Sequence, residues 1–317
     1  MVGKLTRDDI PTASISPYLF NEYKYGSRNE ALKRCIDAKY GKPTRFEQTG
    51  IQRMGDVLEA PCIKEACNIL GLTDVQTDIN VVAKHPYLLF QASLDGMAHA
   101  DNLVIKEDES KGIYLPNATE VKLDGQGVVE NKVTNSYPEN PPALWRGVLQ
   151  LQAQMECAGV DWGLLVVLYQ STDLRMFVYK RDPGFAVRLK RVVEDWNRRV
   201  QEEDYFPFEI LDESRNDGVL VHPEATQDEV IDLDMLCEDH ARQIMLSDEA
   251  IKNAKENKQR ATAALMEAMG NHSKAKAGDF AINWGMTHFK AKEEKVVPAK
   301  EAYSVRRKTL NIKRMQD

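Results

Sequence analysis

Val128-Val129-Glu130-Asn131-Lys132 is an apolar run that ends in an acid and a base two residues apart. Side chains alternate along a strand, so Glu130 and Lys132 share one face. A second apolar run, Phe90-Gln91-Ala92-Ser93-Leu94-Asp95-Gly96, ends in another acid. Two strands that end this way, laid side by side, bring two carboxylates and one ammonium to a single point. Leu149-Gln150-Leu151-Gln152 follows and opens a helix rich in glutamine.

Each piece alone is commonplace. Asp-Gly is a frequent turn, and Glu-x-Lys decorates many exposed strands. The chain carries a rival copy, Glu120-Val121-Lys122. Two features favour the later copy: the apolar lead-in Gly127-Val128-Val129, and the glutamine helix that follows it. Glu120 and Lys122 stay as the alternative pair.

Composition narrows the class. The 317 residues are 43% hydrophobic and 29% charged, a globular balance for one large domain or two. No apolar run approaches the roughly 18 residues of a membrane span. The first residues are polar without a leader-like apolar core, and a cytosolic protein is expected. The five cysteines, Cys35, Cys62, Cys67, Cys157 and Cys237, include no C-x-x-C pair, which argues against disulfide, zinc-knuckle or iron–sulfur frameworks. The six histidines form no H-x-H or H-E-x-x-H group, which disfavours zinc hydrolysis. Net charge is −7, but its distribution is uneven. Residues 209–249 hold 13 acids and 2 bases, and residues 285–317 hold 9 bases and 4 acids. A local basic track can bind phosphate whatever the net charge.

The periodicities predict a mixed α/β core of about 200 residues, residues 1–209, with an appended module over 210–317. A helix is expected over Arg53–Leu70, stopped by Gly71, with Leu58, Cys62, Ala66, Ile69 and Leu70 near one face. Pro61 is expected only in a first turn or at a kink. Strands are expected over Asp78–Ala83, Leu88–Met97, Gly112–Val121 and Val128–Val133. A helix introduced by Asn140-Pro141-Pro142 runs to about Ala158, with Leu144, Val148, Leu151 and Met155 as its buried stripe. Gly163–Tyr169, almost wholly apolar, reads as a central strand paired with Leu174–Lys180. A long amphipathic helix then carries Val187, Val192, Val193, Trp196 and Val200. Beyond residue 209 come an acidic loop, a helical region over Asp234–Met269, and a β-like end over Asp279–Trp284 and Arg306–Ile312.

Taken in order, these features form a pattern: a helix with Gly55-Asp56-Val57-Leu58-Glu59, His85-Pro86-Tyr87 leading to Asp95-Gly96, Glu130-x-Lys132, Gln150-x-Gln152, then two strands. The pattern resembles the YqaJ-like viral recombinase, or phage lambda exonuclease, family of PD-(D/E)xK nucleases, over about residues 10–205. The fold implied is a restriction-endonuclease-like α+β core, a central mixed sheet flanked by helices. The resemblance implies Asp95 and Glu130 as metal-binding carboxylates, Lys132 as the catalytic lysine, and Glu59 as a helix glutamate reaching the metal through water. It implies Gln152 as the glutamine beside the active site and Gln150 as its neighbour. Thr12-Ala13-Ser14 resembles the segment that contacts a terminal phosphate, with Ser14 its hydroxyl, and Gly26-Ser27-Arg28 resembles the stretch after it. Arg146, near the start of the glutamine helix, is a further candidate for phosphate.

The chain departs from the pattern in two places. Asn131 stands where an apolar residue is usual, though its backbone carbonyl can still serve a metal. The segment between Asp95 and Glu130 is long, and an extra hairpin is expected there. The activity implied is Mg²⁺-dependent hydrolysis of one strand of duplex DNA from an end, 5′→3′, with Mn²⁺ able to substitute. A ring-shaped homo-oligomer and a single-strand annealing protein are the implied partners, in the cytoplasm of a bacterial host if the chain is phage-encoded. A structure-selective endonuclease and a non-catalytic DNA-binding scaffold are the alternatives.

Overall fold

The computed structural model describes residues 6–42, 49–77, 79–212, 215–224 and 230–284. After a turn at Ala13–Ile15, the chain forms α1 (Ser16–Leu19), α2 (Arg28–Lys39) and α3 (Gly50–Leu70). Then come β1 (Thr73–Gln76), β2 (Ala83–Lys84), β3 (Gln91–Ala92), β4 (Gly96–Lys106), β5 (Ile113–Tyr114) and β6 (Glu120–Thr134). A wide turn at Leu144–Val148 leads into α4 (Leu149–Ala158), followed by β7 (Trp162–Tyr169), β8 (Asp173–Lys180) and α5 (Pro183–Glu202).

Six strands make one mixed sheet in the order β1-β4-β6-β7-β8-β5. β6 runs parallel to β7, and β5 parallel to β8; the other pairings are antiparallel. The alternation of β7 explains why this strand lies inside. Leu164 and Val166 pack with Cys62, Ile63 and Ala66 of α3 on one face. Leu165 and Val167 pack with Leu151 and Met155 of α4 and with Leu189, Val193 and Trp196 of α5 on the other. A strand covered on both faces needs an unbroken apolar run. Gly127 of β6 leaves room for the buried Trp162, since a Cβ there would come 2.3 Å from the indole.

α3 begins at Gly50, three residues before the expected start, because Thr49 and Gln52 form a reciprocal capping box. Gly71 ends it in the left-handed region, as expected. Pro61 sits inside this helix rather than in its first turn. The strand expected over Asp78–Ala83 is displaced: pairing occurs at β1 and at the two-residue β2, and Asp78 lies outside the described residues. Leu88–Met97 is not one strand. The backbone N–H groups of Tyr87 and Leu88 donate to His85 Nδ1 in a turn, and the chain bends again at Asp95 between β3 and β4. Among the described residues no extra hairpin lies between Asp95 and Glu130: the length goes into the long β4–β6 pairing and the segment that carries β5. The chain beyond β4 reaches the opposite edge of the sheet, where β5 pairs with β8. Leu144 and Val187, expected on buried stripes, are exposed; Val187 gives way to Phe185 and Leu189 in the buried face of α5.

Beyond α5, β9 (Ile210–Asp212) pairs with β10 (Arg215–Asn216), and α6 (Asp217–Val221) follows. Asp217 is buried and accepts from Ser27 Oγ at 2.6 Å, Asn29 Nδ2 at 2.7 Å and the Glu209 N–H at 2.9 Å, which ties this segment to the start of α2. Residues 1–221 cluster as one compact unit and 222–317 as a second. The regular elements described in the second unit are the 35-residue α7 (Met235–Met269), capped by Asp234, and the hairpin of β11 (Lys274–Ala277) with β12 (Phe280–Asn283). The basic end over 285–317, including Arg306–Ile312, lies outside the described residues. Among the described residues no helix is long and apolar enough to cross a membrane.

Candidate active site

Antiparallel register makes the site. Gly96 of β4 pairs with Val129 of β6, so Asp95, one residue earlier, stands across from Glu130. Asp95 Oδ2 accepts the backbone N–H of Asn131 at 3.0 Å, which holds its carboxylate against β6 between Glu130 and Lys132. Val128, Glu130 and Lys132 face α4, while Val129 faces α3.

Glu130 has no exposed surface. Its Oε1 pairs with the Lys132 ammonium, and its Oε2 accepts from Gln154 Nε2 of α4 at 2.5 Å. The same Gln154 nitrogen donates to the Ser93 carbonyl at 3.0 Å, so one amide ties α4 to both acid-bearing segments. Burial pushes the Glu130 carboxyl well up, and the charge of Asp95 adds to the effect. Burial alone would lower Lys132, but the charges of Glu130 and Asp95 outweigh it and hold the ammonium protonated. Glu59, half-buried on α3, is raised to about 7 by burial, then by Asp95 and Asp56, with Lys132 opposing. Burial first, and then the nearby charge of Asp95, raises the proton affinity of Glu130 and Glu59, and Lys132 opposes both shifts.

The turn before α4 packs along the stem of the lysine. Gly147 has φ +103, where other residues are strained, and a Cβ there would lie 2.7 Å from Leu165 Cδ1 and 3.4 Å from Lys132 Cε. The Lys132 side chain, 33% exposed, is thus flanked on one side by backbone that only glycine supplies.

The structure does not bring every expected residue to this point. Gln152 faces the end of β8, where Nε2 donates to the Lys180 carbonyl at 2.9 Å and Oε1 accepts the Asp182 N–H at 3.0 Å. Gln154 is the glutamine at Glu130. The signal was present in the helix period: Gln154 is three residues after Leu151 and beside Met155, on the stripe that meets the sheet, and Gln152 lies about 200° round from it. Gln150 is half-exposed on the same helix. Ser14 is exposed and shares a 2.8 Å hydrogen bond with the Thr12 hydroxyl. Thr12 bridges to Gln91 of β3, four residues before Asp95, which puts the Thr-Ala-Ser turn beside the acid-bearing segment. Arg28 is engaged internally: its Nε donates to the Tyr18 carbonyl at 3.0 Å, and its guanidinium lies 3.6 Å from the centre of the Phe206 ring. Arg146 is buried, forked onto Glu139 at 2.9 and 2.8 Å, and donates to Thr134 Oγ1 at 3.1 Å. Both arginines brace the fold. Asn131 is buried, with its side-chain carbonyl unpartnered.

Glu120 and Lys122 lie at the far end of β6. Both are solvent-facing, and Glu120 makes a 3.3 Å pair with Lys106 across the strands.

No protein-family model matches the chain, and no curated protein matches it. Solved structures do. An alkaline exonuclease, LHK-Exo from Laribacter hongkongensis, has 19% identity and a TM-score of 0.45 over 62% of this chain and 90% of its own. LHK-Exo in complex with dAMP gives the same identity and TM-score over 63% and 91%. A phage-related exonuclease from Haemophilus somnus has 11% identity and a TM-score of 0.43 over 61% and 94%.

Proposed function

We propose that the chain is a Mg²⁺-dependent deoxyribonuclease of the YqaJ-like, phage lambda exonuclease type, degrading one strand of duplex DNA from an end. The observation that carries the reading is a fully buried Glu130 whose carboxylate shares one lysine with Asp95 and Glu59. A protein has little reason to bury unbalanced acid unless a cation completes it. The donors are hard oxygens, which suits Mg²⁺ and also Mn²⁺. Among the described residues no three of His, Cys, Asp and Glu close on one point, and Mg²⁺ is commonly held by one or two carboxylates with waters completing the shell.

Asp95 and Glu130 would hold the ion, with the Asn131 carbonyl a third oxygen and Glu59 reaching it through water. The ion would polarise the phosphate and lower the pKa of a water. The Lys132 ammonium stabilises charge on the phosphate as the bond breaks. Gln154 keeps Glu130 oriented, and Glu59, near neutrality, can take up a proton at its carboxylate. The family resemblance supplies the rest of the proposal: 5′→3′ polarity, a ring-shaped homo-oligomer, and an annealing protein that takes the exposed strand. It also supplies Ser14 and Gln150 as contacts to the DNA backbone.

The test is a linear duplex labelled at either the 5′ or the 3′ end, digested with Mg²⁺ or with EDTA. Closed circles and a Lys132→Ala protein run alongside. Early loss of the 5′ label in Mg²⁺ alone, intact circles and an inert variant are expected. Cut circles would make the protein an endonuclease. Binding without cleavage in any divalent metal would leave only a scaffold.

A further inference from the structure

Lys24-Tyr25-Gly26-Ser27 is a fixed turn that presents a bare aromatic ring. The Tyr18 hydroxyl donates to the Tyr25 carbonyl at 2.8 Å. Gly26 has φ +70, with Glu30 Oε2 only 2.8 Å from where a Cβ would stand. Ser27 caps α2 by accepting the Glu30 N–H at 3.1 Å, and it donates to the buried Asp217 at 2.6 Å. The backbone on either side of Tyr25 is thus held, yet the residue is 62% exposed. Its ring meets Trp145 edge-on, with centroids 5.8 Å apart and planes at 87°. The Lys24 ammonium lies 5.6 Å from the centre of the Tyr25 ring and 5.2 Å from that of Trp145. The Arg146 guanidinium lies 4.5 Å from Trp145.

This cluster borders the lysine of the site. Arg146 is bonded to Thr134, which follows Lys132 by two residues on the same face of β6, a step of about 7 Å along a strand. Trp145 belongs to the turn whose Gly147 lies against Lys132. An exposed ring gains nothing for the core. Fixed in place, edge-supported by an indole and flanked by an ammonium, it has the chemistry that takes a nucleobase with its phosphate.

We propose that Tyr25, supported by Trp145 and Lys24, is the stacking platform for a nucleobase one or two positions from the phosphate that is cut. The proposal rests on the nuclease reading and gives it a way to hold a frayed end. Stacking tolerates every base, so the platform selects unpaired nucleotides and not sequence.

The test uses the full chain and a linear duplex whose terminal nucleotides are intact or abasic in one strand or the other. Tyr25→Ala raises KM by roughly 5- to 150-fold, the range that loss of one base–aromatic stack gives, and moves kcat far less. Tyr25→Phe, which keeps the ring, restores KM. An abasic position in the strand that stacks costs the wild-type protein the same factor and costs Tyr25→Ala nothing more. Equal abasic penalties in wild type and Tyr25→Ala would overturn the platform. Binding in EDTA to duplexes carrying 2-aminopurine at either terminal position gives a readout without cleavage. Wild type quenches the probe and Tyr25→Ala does not. If no DNA is cut in Mg²⁺ the nuclease reading fails, and the quenching still decides: a difference keeps the platform on a binding protein, while none, or no quenching at all, removes it.

Discussion

β6 carries the same three-residue pattern twice, ten positions apart, and the two copies have nothing in common beyond it. Glu120-Val121-Lys122 stands in solvent, where Glu120 pairs with Lys106 while its side chain stays 54% exposed. Such a pair contributes little, since both ions keep most of their water. Glu130-Asn131-Lys132 lies under α4, with Glu130 wholly buried and bonded to Gln154. The partner strand makes the difference. Antiparallel register gives Lys106 to the first copy and Asp95 to the second, so a base neutralises one acid and an acid crowds the other. A charge pattern is chemically inert until the neighbouring strand decides whether its charge is balanced.

The largest expected effect breaks this symmetry outright. Glu130→Gln or Lys132→Ala should lower kcat on duplex DNA by at least about 100-fold, while Glu120→Gln and Lys122→Ala stay within about twofold. Equal losses in both triplets would mean that burial does not define the site. The glutamines sharpen the contrast next. Gln154→Leu strips Glu130 of a buried donor, a change of about 1–3 kcal/mol, and should cut turnover about tenfold. Gln152→Ala should instead lower the urea midpoint, having lost its bonds to Lys180 and Asp182. Gly147→Ala should destabilise the protein by more than about 1 kcal/mol, because Leu165 fills the space a methyl would need and φ is positive.

A smaller effect should appear with pH. Glu59 is raised from 4.5 to about 7 in the folded chain. Between those values the unfolded chain has lost a proton that the folded chain keeps. Metal-free stability should therefore fall as pH rises from about 4.5 to about 7. Thermal melts in EDTA and in Mg²⁺ test this: the rise in Tm on adding Mg²⁺ should be larger at about pH 8 than at about pH 5, and an equal rise at both would count against the crowded acids. Smallest of all, Lys106→Ala should change stability by less than about 0.5 kcal/mol, as exposed pairs do.

Much of the fold is legible in the sequence where burial is one-sided or complete. β7 and β8 fall within a residue of the runs expected for them, because an apolar run of that length has few other uses. Errors gather where a side chain, not the periodicity, sets the backbone. His85 holds Leu88 in a turn although the run looks like a strand, and Thr49 starts α3 before its first apolar residue. The same holds for the candidate site. Asp95, Glu130 and Lys132 can be picked out by residue type and order, and Glu59 only by the family resemblance; in the fold the charge of Asp95 acts on Glu130, Glu59 and Lys132 alike. Gln154 and the approach of Gly147 to the lysine depend on which way a helix faces and how tightly a turn packs. Arg28 is singled out by the family stretch it belongs to and Arg146 by its place before the glutamine helix, but their side chains are engaged with Tyr18, Phe206 and Glu139.

Gly127 and Trp162 occupy one volume between them, with the indole filling the space that any side chain at 127 would claim. The two positions form a single heritable unit. A lineage that acquires a side chain at 127 must first shrink residue 162, and that intermediate carries a cavity in the middle of the sheet. Changing either position alone therefore costs stability, so the pair is expected to change together or not at all.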